Sequence, residues 1–400
     1  MNVLTLLSSV AFTIGVGGIG CAFAVYPLLL SLTRLLRGDR PVAKATLPLS
    51  VSLITIVRGS AESARRKAEN SLALEAPAGG FEIIMFWDGA ADLDRIRSVM
   101  PTDPRLTFLA SSSHRGKNDA LNQAVSHSSG QVLVFSDADA LLDRAALRHL
   151  LQPLADPSVG GVCGQLVVMK DAGVLSRPQH TYWHFDRLMK TMESGLGSIT
   201  SNTGVLYAVR RELVRPVPLT VTDDLYSCLK VVSQHKRFVF EPAALACISA
   251  SSKTPGHELQ RRRRIVCRSL TGIWLSREVL NPFRHGLFSL GLFFNKVLRR
   301  FLPVMLVLIL VAAAGLAPGS SLMRGVLLIQ VLFYASVVPL RRLAERRFFG
   351  GAPRRLVFLA FYFCLGMVGT WLGLVDFLKG REITKWETTE AAGFGKDGDL

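Results

Sequence analysis

The sequence predicts an α/β domain on a mainly parallel sheet with helices on both faces, flanked by transmembrane helices. Three observations predict it. Short apolar runs alternate with polar, helix-like stretches across residues 45–265. Long uncharged stretches are confined to the two ends of the chain. Aspartates close two of the central apolar runs, at the strand ends where ligands of parallel α/β sheets gather.

Residues 1–33 carry no charged side chain, and Arg34, Arg37 and Arg40 follow at once. A secretory signal would want a basic start and a shorter apolar core, so residues 6–30 are expected to span a bilayer. Segments 301–316, 325–340 and 356–375 are three further spans, and the arginine-rich "RRLAERRFFGGAPRR" between the last two belongs in the cytoplasm by the positive-inside rule. The expected organisation is an N-terminal helix and basic flank (1–40), a cytoplasmic domain (45–265), an interfacial segment (266–300), three spans (301–378) and a polar tail (379–400). That organisation is the one expected of a multi-pass protein of the cell inner membrane. The interfacial expectation rests on Trp274, Phe283, Phe288, Phe293 and Phe294 among scattered basic residues. Three spans after a cytoplasmic domain place the tail outside, and one span fewer reverses that.

The net charge is +17, which raises nucleic acid as a partner. Basic membrane flanks facing anionic headgroups account for much of it, so no nucleic acid is expected. Six cysteines lie scattered without metal-ligand spacing, as free thiols in a reducing compartment do.

Within the domain, "LSVSLITIV" (49–57) reads as the first strand and the Ala/Glu/Arg-rich stretch after it as a helix. "FEIIMFWDG" (81–89) is a second strand ending in Asp88, and "RLTFLA" (105–110) a short third. A helix starts near Gly116 in "GKNDALNQAVSHS", and "QVLVFS" (131–136) is the fourth strand. Asp137 and Asp139 come next, followed by the helical "DRAALRHLLQPL".

Two carboxylates just past a strand can hold a hard divalent cation, which suits Mg²⁺ or Mn²⁺ joined to substrate phosphates. The same "DADALLD" can equally be a helix N-cap, and a strand-end Asp-Gly such as Asp88-Gly89 is ordinary turn chemistry. Asp223 and Asp224 open an amphipathic helix, either as caps or as a general base whose pKa a neighbouring like charge raises. The arginine run of "HELQRRRRIVCR" (257–268) is a solvated face, a lipid-headgroup patch or a phosphate clamp.

Taken in order, "FWDGAADLD", "RGKNDALNQA", "FSDADALL", "SNTGVLYAVRRE", "TDDLYSCLKV" and "ELQRRRRI" resemble the membrane-bound inverting family 2 glycosyltransferases. That group includes cellulose, hyaluronan and poly-N-acetylglucosamine synthases. The resemblance spans about residues 48–390, and "NKVLRRFLP" (295–303) is also similar to bacterial members. It implies a GT-A-like fold and transfer of a sugar from a nucleotide-diphosphate sugar, foremost a UDP-sugar, to a lipid-linked or growing glycan acceptor. Such transfer serves cell-envelope or exopolysaccharide synthesis. By the resemblance, Asp88 would bind uracil or ribose, and Lys117 the nucleotide or its phosphates. Asp139, with Asp137, would bridge Mg²⁺ or Mn²⁺ to the diphosphate. Asp224 would be the general base, with Asp223 where the family usually has Glu, and Arg261–Arg264 would hold the leaving diphosphate, Arg263 and Arg264 foremost.

Two departures stand out. Arg58-Gly59-Ser60 replaces the Asn-Glu pair that most relatives carry after the first strand, and the Q-x-x-R-W motif lacks its tryptophan, with Arg264 or Ile265 in its place. Loss of a stacking platform removes roughly 1 kcal/mol or more of sugar-binding energy, so transfer of one or a few sugars is to be expected at least as much as synthesis of a long polymer. The departures also motivate a competing reading, a catalytically degenerate binding subunit of an envelope complex.

Overall fold

The computed structural model describes residues 3–89, 93–168, 176–248, 254–346, 348 and 350–384. Eight strands form one sheet: β1 (Val51–Val57), β2 (Phe81–Asp88), β3 (Leu106–Ser111), β4 (Val132–Phe135), β5 (Ala140–Leu142), β6 (Val159–Val168), β7 (Tyr207–Arg210) and β8 (Arg237–Ile248). Their spatial order is β3-β2-β1-β4-β7-β6-β8-β5. The first four expected strands are present and parallel, with β1 paired to β2 and β4, and β2 to β3. All seven residues of β1 are buried, Ser52 and Thr55 included, as a strand at the centre of a two-sided sheet requires.

The sheet is mixed where the expectation was only mainly parallel. β7 runs antiparallel to both β4 and β6, and β5 antiparallel to β8. This reversal matters for the site. An antiparallel strand begins where its parallel neighbours end, so the start of β7 lies beside the carboxyl end of β4, with Tyr207 opposite Phe135. The helix-cap reading of "DADALLD" is corrected for Asp137 and Asp139, which are cut off from the next helix because Ala140, Leu141 and Leu142 form the short β5. The carboxylate that serves the next helix, Ala146–Leu151, is Asp143, which accepts from the Ala145 amide at 2.9 Å.

Helices Val3–Arg37, Leu302–Gly319, Ser321–Glu345 and Gly351–Leu378 are long and apolar enough to cross a membrane. The first packs on the second through small residues: a side chain at Gly15 would meet Ile309 at 2.6 Å. Farther along the same helix, Tyr26 is buried and donates to Glu193 Oε1 at 2.6 Å. Glu193 also accepts from the Thr200 amide and hydroxyl, at 2.8 and 2.7 Å. One buried carboxylate therefore ties the N-terminal helix to the loop that enters β7. Of the expected interfacial aromatics, Trp274, Phe283 and Phe293 are exposed, while Phe288 is buried in the domain core.

The last apolar helix does not leave the domain. Gly369 and Gly373 let it lie against helix Pro255–Leu275, which carries the arginine run. Arg263 closes the contact with a bidentate pair to Asp376, one arm of it Nη2 to Oδ1 at 2.8 Å. Beyond it the Cys267 thiol donates to the Arg381 carbonyl at 3.5 Å, and the Thr384 carbonyl lies against Gly116. The tail through Thr384 thus sits beside the domain, contrary to the expectation that follows from three spans; residues 385–400 lie outside the described residues.

Removing one partner of a largely buried ion pair costs about 3–5 kcal/mol. Asp376→Ala is expected to lower the thermal midpoint and to loosen the last helix. Peptide mapping after maleimide treatment should then show Cys267, now buried, labelled faster than in the wild type.

Candidate active site

The carboxyl ends of β1, β2 and β4 and the start of β7 converge on one edge of the sheet. Four of the expected site residues, Lys117, Asp137, Asp223 and Asp224, meet there or beside it. Lys117 opens helix Lys117–Ser126, and its ammonium lies 2.8 Å from Asp137 Oδ1 and 3.0 Å from Asp223 Oδ2. Burial opposes the charge on Lys117, but the two carboxylates outweigh it and raise the pKa well above the ordinary lysine value. Burial would also raise Asp223, yet Lys117 and then Arg268 hold it below the usual carboxylate range. For Asp137 the balance falls the other way, with burial raising the carboxyl against the pull of Lys117.

Asp224 is half-buried beside Asp223, and burial together with that neighbour's charge pushes its carboxyl up to about 6. Its backbone carbonyl accepts from Asn202 Nδ2 at 3.1 Å, so the "SNTG" loop packs against the start of helix Asp223–Ser233. Gly204 of the same loop lies over the bridge; a Cβ there would stand 3.3 Å from Asp137 and 3.6 Å from Lys117 Nζ.

The loop before the two aspartates is held from below. Asn118 donates to the Pro218 and Val221 carbonyls at 2.6 and 2.9 Å, and Asn122 exchanges two hydrogen bonds with the Val217 backbone at 2.9 Å each. "GKNDALN" thus has a physical logic: its lysine bridges the acids, and its asparagines at a helical spacing grip the chain that presents them.

Some expected residues have other employment. Asp88 has no exposed surface; it accepts from the Arg115 and Gly116 amides at 2.8 and 2.9 Å and lies 2.7 Å from His114 Nδ1. It fastens the loop before Lys117, where the expectation was a direct contact to uracil or ribose. Its motif partners at 90–92 lie outside the described residues. Arg261 and Arg262 pair with Glu258 on their own helix, and Arg263 is taken by Asp376. The expected catalytic Arg263 is therefore a docking residue for the last helix, while Arg264 is half-buried on the same helix.

Four residues that brace the candidate site escaped the sequence reading. Arg268 is buried and donates through Nε and Nη2 to the Val221 carbonyl, at 2.9 and 2.5 Å. Its signal was a spacing of seven from Arg261, which places both on one helix face. Lys67 is wholly buried, and burial lowers its pKa to about 7. It stands in the buried stripe Ala64, Lys67, Ala68, Ser71, a period that announces a buried position whatever the residue type. Lys296 donates to Ser201 at 2.6 Å, and Glu193 anchors the same loop. No local pattern marks those two.

Asp139 is exposed and has no hydrogen-bond or ion-pair partner among the described residues. No group of three or more His, Cys, Asp or Glu gathers as a metal cluster among them. Two carboxylates, one of them open to solvent, are what Mg²⁺ or Mn²⁺ takes from a protein when substrate phosphates complete the shell, so these residues fit such an ion.

Residues 52–217 match a family model described as glycosyl transferase family 2. An N-acetylglucosaminyltransferase of Bradyrhizobium elkanii is 29% identical over 135 residues, 33% of this chain and 74% of its own length. A poly-beta-1,6-N-acetyl-D-glucosamine synthase of Staphylococcus aureus is 24% identical over 190 residues, 46% of each chain. An N-acetylglucosaminyltransferase of Azorhizobium caulinodans is 26% identical over 144 residues, 35% of this chain and 36% of its own. Matches of this kind span less than half the length of the last two. The structure of a mannosyltransferase from Pyrobaculum calidifontis, solved with GDP-Man and Mn²⁺, superposes with a TM-score of 0.65 at 20% identity, covering 95% of this chain and 100% of that one. The likeness establishes the GT-A-like fold.

Replacing Lys117 by Met would leave Asp137 and Asp223 facing each other without the ammonium that bridges them. At pH 7 this is expected to cost about 3–5 kcal/mol of stability in a denaturant titration. The wild-type advantage from Asp223 exists above the ordinary carboxylate pKa of about 3.9 and is lost as pH falls through its lower folded value, so the two proteins should converge in acid.

Proposed function

With a glycosyltransferase family 2 domain over residues 52–217 as premise, we propose that this protein moves a sugar from a nucleotide-diphosphate sugar, foremost a UDP-sugar, to a lipid-linked or growing glycan acceptor, with inversion at the anomeric carbon. The observation that carries the reading is Asp224. It is a half-buried carboxylate raised to about 6, held beside a lysine-bridged pair that joins the donor-side Asp137 to the acceptor-side Asp223. A base with that pKa is deprotonated at neutral pH and still a competent proton acceptor.

In this mechanism the Asp224 carboxylate takes the proton of the acceptor hydroxyl as its oxygen bonds to the anomeric carbon. The bond from that carbon to the diphosphate oxygen breaks, and its electron pair leaves with the diphosphate. A single displacement of this kind inverts the centre. Asp139 and Asp137 would hold Mg²⁺ or Mn²⁺, which supplies neutralising charge to the leaving diphosphate. Lys117 adds a fixed positive charge beside them, and Arg268 and Asn118 hold Val221 so that Asp223 and Asp224 keep their places. Mn²⁺ with the nucleotide sugar in the Pyrobaculum neighbour, and N-acetylglucosamine in the names of the curated relatives, support the donor class. Ile265, partly exposed where polymer-forming relatives carry tryptophan, supports short transfer.

We place the domain on the cytoplasmic face of the inner membrane, beside the arginine-rich turn. Two crossings, Leu302–Gly319 and Ser321–Glu345, return the chain to that face. Since Thr384 also lies beside the domain, both ends of Gly351–Leu378 fall on one side. That helix then lies along the interface, packed on the arginine helix, and is not a crossing.

Purified protein supplied with Mn²⁺ or Mg²⁺ and a panel of UDP-GlcNAc, UDP-glucose and GDP-mannose should release nucleotide diphosphate. Asp139→Ala and Asp224→Asn should each lower turnover by 100-fold or more; wild-type rates in both would refute the mechanism. The acid limb of kcat/KM should fall near pH 6. In Asp223→Asn, which removes the like charge beside the base, that limb should move to lower pH.

A further inference from the structure

The ammonium of Lys67 is 0% exposed, on helix Ala61–Leu72, whose Ala64 and Ala68 pack into the core beneath β1. Burying such a group without partners is prohibitive, so where its protons go identifies its purpose. Nζ donates to Ser136 Oγ at 2.7 Å and to the Ala140 carbonyl at 2.6 Å. Those two residues immediately bracket Asp137-Ala138-Asp139. Ser136 in turn donates to the Val205 carbonyl at 2.9 Å, which brings the chain entering β7 into the same network. A single buried side chain therefore pins both ends of the turn that presents the two carboxylates.

Its placement begins at the first departure from the family pattern. Gly59 takes a positive φ of 136°, and Ser60 caps the helix by accepting from the Ser63 amide at 3.2 Å. Arg58-Gly59-Ser60 is therefore a helix start, and two turns later that helix delivers Lys67 beneath the acids.

We propose that Lys67 is a positioning residue that preforms the Asp137–Asp139 turn before metal or nucleotide arrives. It reaches no substrate and acts from beneath, by holding Ser136 and Ala140. The consequence for donor binding rests on the function proposed above; the holding of the turn does not.

Hydrogen exchange on the ligand-free, full-length protein in detergent tests the holding itself. In Lys67→Met the amides of residues 136–142 should exchange about tenfold faster than in the wild type, with β2 and β3 unchanged. Binding of Mn²⁺ and UDP, followed by the manganese EPR signal and by calorimetry, should weaken about tenfold. The donor KM should rise by a similar factor while kcat at saturating donor changes less than threefold. Ser136→Ala keeps the ammonium and removes one anchor, so it should move exchange and affinity in the same direction by about threefold, and it serves if Lys67→Met does not fold. Unchanged exchange at 136–142 in folded Lys67→Met, or in Ser136→Ala, would overturn the proposal. So would faster exchange with unaltered Mn²⁺ and UDP affinity. A wild-type protein that binds neither, with the exchange difference intact, defeats the donor-site reading and leaves the holding of the turn supported.

Discussion

One ammonium organises the candidate site. Lys117 reaches Asp137 at the end of β4 and Asp223 at the start of a helix more than 80 residues later, and both contacts are within 3.0 Å. Without it, two carboxylates would oppose each other at a partly dry sheet edge, and neither could stay ionised cheaply. With it, Asp223 is ionised, and its negative charge helps to raise Asp224 toward neutrality. The bridge and the burial of Asp224 together separate those two pKa values, and in the proposed mechanism that separation divides their roles: one carboxylate is a fixed charge, the other a proton acceptor.

The supports of that bridge come from every side of the domain. Asn118 and Arg268 converge on the Val221 carbonyl from different helices, so the approach to Asp223 is held from two directions. Lys67 holds the other acid from below. Asp88 saturates the loop that leads into Lys117. A constellation that must stay within fractions of an ångström is commonly braced in this manner, because each reacting group is only as well placed as its neighbours.

The apolar helices belong to the same framework. Glu193 gathers Tyr26 from the first apolar helix, Thr200 ahead of the "SNTG" turn and Asn295 from the segment before the second. Arg263 and Asp376 fasten the last helix to the one that begins near the site. The domain is thereby fixed in orientation to these helices.

Much of this could be read along the chain. Apolar runs of strand length, uncharged ends and acids at strand termini produce an α/β domain with membrane helices from local periodicity alone, since burial of each residue is written in its period. The motifs, in their order, named Lys117, Asp137, Asp139, Asp223 and Asp224. Pairing was not legible. Lys67 meets a residue 69 positions away, Arg263 one 113 positions away, and both depend on strand order and helix docking, which no local pattern encodes. The reversal of β7 likewise decided that the "SNTG" loop sits over the bridge. Residue type and spacing state what a side chain can do; only the folded chain decides which partner reaches it first, and so whether an arginine holds a phosphate or a helix.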